Sequence, residues 1–353
     1  MSVSQRQLPC VEALEPRRHC SYNWWGPTLH VTAPGSYTGW WEHVVVTAPA
    51  GRVVLHDMHV ETWDDSPMIW VDSPAQVVIT RNYAVAHTPP IGAPARFVFS
   101  QHYSDLTISH NVLSHTSGIE LGGWATHLSV TDNYAEDIDG RWANGWQKDL
   151  VQFVQLSWSH VASGEIAYNA VVNHRGTSAV EDVISVYNSG GMPGSPLLIH
   201  DNLIDGAYAW PSGQHYSGGG IMAGDGDVNW ANSWTWPSYV HVFSNTVINS
   251  DTYGVSASAG HDIEIDHNLV ISFGATQSGS IAFSWLGEPE WNIMVHDEQA
   301  TWYGPAWQPQ ALWLPTATAQ WNNQSIWVMP QQAAANWWNR MAWWGRQIGH
   351  QGW

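Results

Sequence analysis

Two strings place carboxylates where paired acid–base chemistry needs them. Lys148-Asp149-Leu150-Val151-Gln152-Phe153 and Glu181-Asp182-Val183-Ile184-Ser185-Val186 match position by position. Each has a charged residue, an aspartate, then the alternation of a strand. Strands on adjacent coils of a solenoid lie about 4.8 Å apart. Opening a glycosidic bond uses two carboxyls, about 5–5.5 Å apart for retention of configuration and about 6.5–9.5 Å for inversion. Extended side chains on neighbouring coils reach either range. Close like charges also drive one pKa up, which separates an acid from a base. Asp149 and Asp182 are the candidate acid and base, in an order left open, with Glu120 and Asp225 as substitutes for either role.

Other residues gather around that pair. Glu181, Tyr187, Asn188 and His261 fall at the strand ends or in turns on the same face, and Trp124, Trp146 and Trp285 would wall a groove for sugar rings. Gly218-Gly219-Gly220 and Gly224-Asp225-Gly226-Asp227 would let a ligand approach the backbone. Asp225 and Asp227 are also candidate Ca²⁺ ligands. The hydrolytic reading requires no cofactor. A polysaccharide lyase would instead remove a proton beside a uronate carboxylate and neutralise that carboxylate with Ca²⁺ or a cation, for which Lys148 and Arg175 are candidates. The structural alternative for every acid is a polar turn stack satisfied by backbone amides. Histidines beside turn asparagines, such as His110, His200 and His267, read as surface or ladder partners, and no His-x-x-x-His or His-Glu pair points to zinc.

The elements that must hold these residues come from a repeat. Apolar-x-apolar-x-x-Asn recurs as Val77-x-Ile79-x-x-Asn82 and again ending at Asn111, Asn133, Asn169, Asn202, Asn245 and Asn268. Degenerate copies end at Met58 and Glu298. Copies are roughly 22 to 43 residues apart, the spacing of solenoid repeats. The period of two predicts a strand, and Asn just after it predicts a left-handed turn residue and a side-chain ladder. A second strand precedes each copy. Ile119, Val151, Ile184, Ile221, Val255 and Ile281 would stack inward, with Glu120, Gln152, Ser185, Met222, Ser256 and Ala282 outward. This pattern resembles the right-handed parallel β-helix of the pectate lyases and polygalacturonases over about residues 50–300. Glu181-Asp182 resembles the Asp-Asp step of polygalacturonases. That family's Gly-His-Gly and Arg-Ile-Lys motifs are missing, and Gly260-His261-Asp262 matches half of the first, so a pectin substrate is not implied.

Composition sets the outer limits. The 353 residues hold 11 Lys+Arg against 30 Asp+Glu, a net charge of −19, which excludes electrostatic binding to nucleic acid. No apolar run is long enough to span a membrane as a helix. Cys10 and Cys20 both lie in the first twenty residues, which excludes a disulfide in the core. Lys148 is the sole lysine, while Trp numbers 26, a balance suited to stacking sugar rings or to filling a wide core. Val11-Glu12-Ala13-Leu14-Glu15-Pro16-Arg17-Arg18-His19-Cys20-Ser21 resembles the LEPR-type motif of exported planctomycete proteins, with His19-Cys20 where that motif has two leucines. The resemblance implies an extracellular or cell-envelope location.

The expected organisation is a leader over 1–22, an entry cap over 23–50, an all-β parallel β-helix of about eight to nine coils over 51–299, and a Trp-rich C-terminal cap over 300–353. An amphipathic helix is expected there around Asn336–Trp344, and the tryptophans either pack onto the last coil as a cap or form an extra glycan- or surface-binding platform. The expected partner is a polysaccharide. A glycoside hydrolase acting on a neutral or weakly charged chain leads the readings, followed by the Ca²⁺-dependent lyase and a non-catalytic glycan-binding or cell-surface structural protein.

Overall fold

A computed structural model describes residues 11–13, 27–212, 214, 217–226, 236–273, 290–303 and 319–349. The chain is a parallel β-helix. Three parallel sheets run along the solenoid, and successive described coils add their strands to them in register. Leu29, Val44, Ile69, Val98 and Ile119 begin one inward row of the first sheet. Val77, Leu106, Leu128, Gly164, Leu197, Val240, Ile263 and Ile293 follow one another in the second. Tyr83, Val112, Tyr134, Ala170, Leu203, Thr246, Leu269 and Gln299 do so in the third. The alternation puts Ile and Val side chains inside, where most are fully buried.

The solenoid is longer than the repeat suggests. Parallel strands already occur at Thr28–Val31, Gly35–Trp41 and His43–Val46, inside the expected entry cap. They continue at Ala319–Trp321 and Gln324–Ser325, beyond the expected last coil. Val11–Ala13, in the expected leader, pairs antiparallel with Thr28–Val31. Among the described residues no helix is long and apolar enough to cross a membrane.

The asparagines form the ladder. Asn169 Nδ2 donates to Asn202 Oδ1 at 2.9 Å and to the Val130 carbonyl at 2.9 Å. Its Oδ1 accepts from the Asn133 backbone N–H and Nδ2. The same pattern runs from Asn82 to Asn268. Glu298 then accepts from Asn268 at 2.8 Å, and burial pushes its carboxyl up to about 8. One expectation is corrected. The left-handed residue is not the asparagine but the one before it. Asp57, Arg81, His110, Asp132, Tyr168, Asp201, Ser244, His267, Asp297 and Asn322 all have φ between 51 and 59°. That twist turns the following side chain inward, where an amide can bridge coils. Each such residue is strained by about 1–2 kcal/mol, which the ladder bonds offset.

The C-terminal helix α1, Pro330–Trp343, begins with proline in its first turn, where no N–H is missed. Ala333, Trp337 and Met341, spaced by four, form its buried stripe. It does not close the last coil. It lies across the third sheet on Ala170, Leu203, Ile248 and Ile271, which belong to four successive coils. Trp337 Nε1 donates to the Asp201 carbonyl at 2.8 Å. Arg346 donates to both Asp132 oxygens, at 2.8 and 3.0 Å, and lies over the Tyr168 ring. Asp132 is otherwise a buried carboxylate, so Arg346→Ala is expected to cost about 2 kcal/mol. Hydrogen exchange in α1 should accelerate more than in the sheets, and equal acceleration everywhere would contradict this anchoring.

Candidate functional site

The first sheet carries the acids, but not in the expected register. Gly118 pairs with Gln152 while Ile119 pairs with Val154, so one extra residue, Phe153, enters as a bulge. Val154 in turn pairs with Ile184, then Ile221, then Val255. The inward row is therefore Ile119, Val154, Ile184, Ile221 and Val255, with Val154 in the place expected for Val151. Its companions on the other face are Glu120, Gln155, Ser185, Met222 and Ser256, with Gln155 rather than Gln152. Ile281 and Ala282 lie outside the described residues.

This shift separates Asp149 from Asp182. Gln152 occupies the row of Asp182, with Gly219 on the following coil. Asp149 sits three residues upstream, accepting from Trp142 Nε1 at 3.1 Å and from the Ala93 N–H at 3.3 Å. Glu120 is held by Arg96 at 2.7 Å. Both of these acids thus belong to a neighbouring charge group around Arg96, whose positive charge Asp149 also feels. The expected stacked Asp149–Asp182 pair does not form.

A different cluster does. Asp182 is buried at the start of its strand and accepts a short hydrogen bond from the Tyr253 hydroxyl. Tyr253 reaches it from two coils away across Gly219. A Cβ on Gly219 would come within 2.4 Å of Asp182 Oδ1 and 2.3 Å of the Tyr253 ring. Gly219→Ala is therefore expected to push the two apart and cost about 1–3 kcal/mol in a denaturation titration. An unchanged midpoint would show that the neighbours yield freely.

Glu181, next in sequence, accepts from Gln152 Nε2 at 2.7 Å. Lys148 Nζ donates to Ser217 Oγ at 3.0 Å and lowers Glu181 by its charge. Burial and the Asp225 carboxylate outweigh these, and Glu181 is pushed up to about 7. Asp182 is raised as well, by burial and then by Glu181. Burial also pushes the Lys148 ammonium down. Asp225 accepts from the Gly226 N–H at 2.8 Å and from Ser258 Oγ at 3.1 Å. The register sets it opposite Tyr187, five positions along from Asp182. Its influence on Glu181 is thus a field across the face, not a hydrogen bond.

The remaining candidates divide. Trp146 is 91% exposed at the tip of the loop that delivers Lys148. Tyr187 is half-buried with its edge toward the exposed Trp158 at 6.3 Å. Asn188 is fully buried, and neither polar atom of its amide finds a partner among the described residues. A Cβ on Gly226 would fall 2.0 Å from Asn188 Oδ1, which places that amide beside Asp225. Trp124 and His261 are not with the acids. They share a row at the far ends of these strands with His160, Gly190 and Ser238. Trp124 stacks on His160 at 4.9 Å and lines a cavity of about 410 Å³ with Asp72 and His102. His261 stacks on Trp291 at 4.3 Å. Such pairs recur at Trp40–His59, Trp63–His87 and His296–Trp321. A ring stacked on the next coil has one face occupied, so these tryptophans tile the solenoid. Trp285 and Asp227 lie outside the described residues.

The sequence reading missed Gln152 as the row partner of Asp182, and it missed Ser217, Tyr253 and Trp158. Gln152 stands opposite Asp182 only in a register three residues away from the one the matching strings suggest, and Tyr253 carries no local signal. The chain matches no family model, no curated protein and no solved structure.

Proposed function

We propose that this β-helix is a glycoside hydrolase acting on a neutral or weakly charged polysaccharide, with the first sheet as its working face. The observation that carries the reading is Glu181, a carboxyl brought to about 7 by burial and by a second carboxylate on the adjacent coil. Glu181 is the general acid and protonates the glycosidic oxygen. Asp225 is the general base and takes a proton from water attacking the anomeric carbon. The carbon–oxygen bond to the leaving sugar breaks as the bond to water forms. On this proposal the reaction inverts configuration, for which the two carboxyls must come within about 6.5–9.5 Å of each other around the bound sugar. Asp182 and Tyr253 position Glu181, and Trp146, Trp158 and Tyr187 offer surface to sugar rings. No resident cofactor is needed for this chemistry. An extracellular or cell-envelope location, resting on the LEPR-like string, belongs to the same proposal, as does kinship with the pectate-lyase-like β-helices.

The half-buried Lys148 favours a second reading, a polysaccharide lyase in which its neutral amine removes the proton. Incubation with a polysaccharide panel separates the two. The hydrolase yields new reducing ends without unsaturated-uronate absorbance, and the first product seen by NMR carries inverted configuration. Absorbance with chelator-sensitive rates would replace it with the lyase. Binding with no product in either channel would leave a glycan-binding surface.

A further inference from the structure

The second sheet carries a side-chain cluster that the acid–base reading leaves unused. His241 lies beside Glu264, which is beside Met294, and Phe243 lies beside Asp266, which is beside His296. Three successive coils thus present two histidines and two carboxylates. Contacts run diagonally between them. His241 Nε2 lies 2.5 Å from Asp266 Oδ1 and 3.9 Å from Glu264 Oε2. His296 Nε2 lies 3.1 Å from Glu264 Oε1.

A neutral imidazole at His296 does not complete this arrangement. Both nitrogens of His296 face carboxylates, Nδ1 toward Asp297 at 2.8 Å and Nε2 toward Glu264. A neutral imidazole has one N–H and satisfies one of them. With Nδ1–H given to Asp297, the Nε2 lone pair points at a carboxylate oxygen. Either a second ring proton or a metal cation between the two atoms resolves that contact. The outer contacts have the form of a metal site's support. Asp297 fixes the His296 tautomer, His267 Nδ1 lies 2.5 Å from Asp266 Oδ2, and Trp321 and Phe243 hold the two imidazoles by ring contact. Two ligands at about 2.0–2.1 Å in a tetrahedral shell are about 3.3 Å apart. The separations in the cluster bracket that edge, and side-chain rotation brings the shortest to it.

We propose that His241, Glu264 and Asp266, whose ligand atoms lie within 4.8 Å of one another, form a binding site for one divalent transition-metal ion, with His296 swinging in from beside Glu264 as a fourth ligand and zinc the best match to imidazole and carboxylate donors. The related group Glu165, His200 and Asp201 offers one histidine, as does Glu42, His43 and Asp64. Among the described residues, His241, Glu264 and Asp266 and the group of Glu42, His43 and Asp64 bring three candidate ligand atoms within 4.8 Å of one another, and the first has His296 as a further histidine beside Glu264. The site lies on a different sheet from Glu181 and Asp182, so it stands or falls independently of the hydrolase reading.

The test is titration of the full chain with Zn²⁺ and, for its ligand-sensitive visible spectrum, Co²⁺. One equivalent should bind below millimolar concentration and raise the melting temperature. His241→Ala and His296→Ala should each weaken binding at least tenfold, while His43→Ala leaves it unchanged. Glu264→Gln, which keeps the side-chain shape, provides the same test should either alanine variant fail to fold. Absence of binding up to millimolar Zn²⁺, affinity unchanged in all three cluster variants, or loss confined to His43→Ala would overturn the proposal.

Discussion

Asn169→Ala is expected to lower the stability of the whole chain by several kcal/mol. The fully buried amide accepts from the Asn133 N–H and Nδ2 and donates to the Val130 carbonyl and Asn202 Oδ1. Alanine breaks all four bonds. Asn133 Nδ2 retains the Ile108 carbonyl and Asn202 Oδ1 retains the Asn169 N–H. The Asn133 N–H then loses its acceptor, and the Val130 carbonyl loses the amide that crossed between coils. A buried group without a partner costs about 1–3 kcal/mol, so the loss is about 2–6 kcal/mol. At about 2–4 °C per kcal/mol for a large domain, the melting temperature falls by roughly 5–20 °C. A change below a degree would mean that the ladder is ornamental. Asn323, near the C-terminal end of the ladder, makes fewer of these bonds, and Asn323→Ala should cost clearly less.

The second large effect is on activity. Glu181→Gln is expected to reduce turnover of a confirmed substrate by about 10²–10⁴-fold, the range for removing a general acid. The amide keeps the shape and cannot give up a proton. Rate in the wild type should fall as pH rises through about 7, where Glu181 loses its proton. Stability moves in the same direction. A carboxyl raised from 4.5 to about 7 binds its proton more tightly when folded. Its contribution is fully present below 4.5 and is lost as pH rises to about 7. Glu181→Gln should therefore be inactive yet melt higher than the wild type at pH 8. Paired activity and melting curves across pH check both limbs. Retained turnover would remove Glu181 from the mechanism whatever the melts show.

The fold was legible in the sequence because its most constrained position is a single residue type. Only an amide both donates and accepts along the axis, so Asn recurs from Asn82 to Asn268. The turn residue before it was not legible. The position fixes its φ and not its chemistry, and Arg81, His110, Tyr168 and Ser244 all fill it. The site was half legible. Glu181, Asp182 and Asp225 stood out by charge in a chain of alternating apolar residues. Their true row was hidden because the matching strings around Asp149 and Asp182 suggest a register three residues away from the one that pairs Val154 with Ile184, and both registers place apolar residues opposite apolar ones. The partners of the histidines were hidden for a related reason. Read along the chain, His241 and His296 are isolated polar residues, and the carboxylates they meet lie 25 residues ahead and 32 residues behind, each on a neighbouring coil.

The position of α1 has a mechanical consequence. In a plain solenoid each coil touches only its neighbours, so unfolding can start at an end and peel inward one coil at a time. Here a chain segment from beyond the last coil returns to grip Ala170, Leu203, Ile248 and Ile271, and reaches Asp132 through Arg346. That clasp adds contacts of long sequence separation to a structure otherwise built from adjacent ones. The clasped coils should yield together, as one block under tension, while the coils before Asp132 remain free to fray. Cutting the chain before Pro330 would turn a single rupture into a staircase.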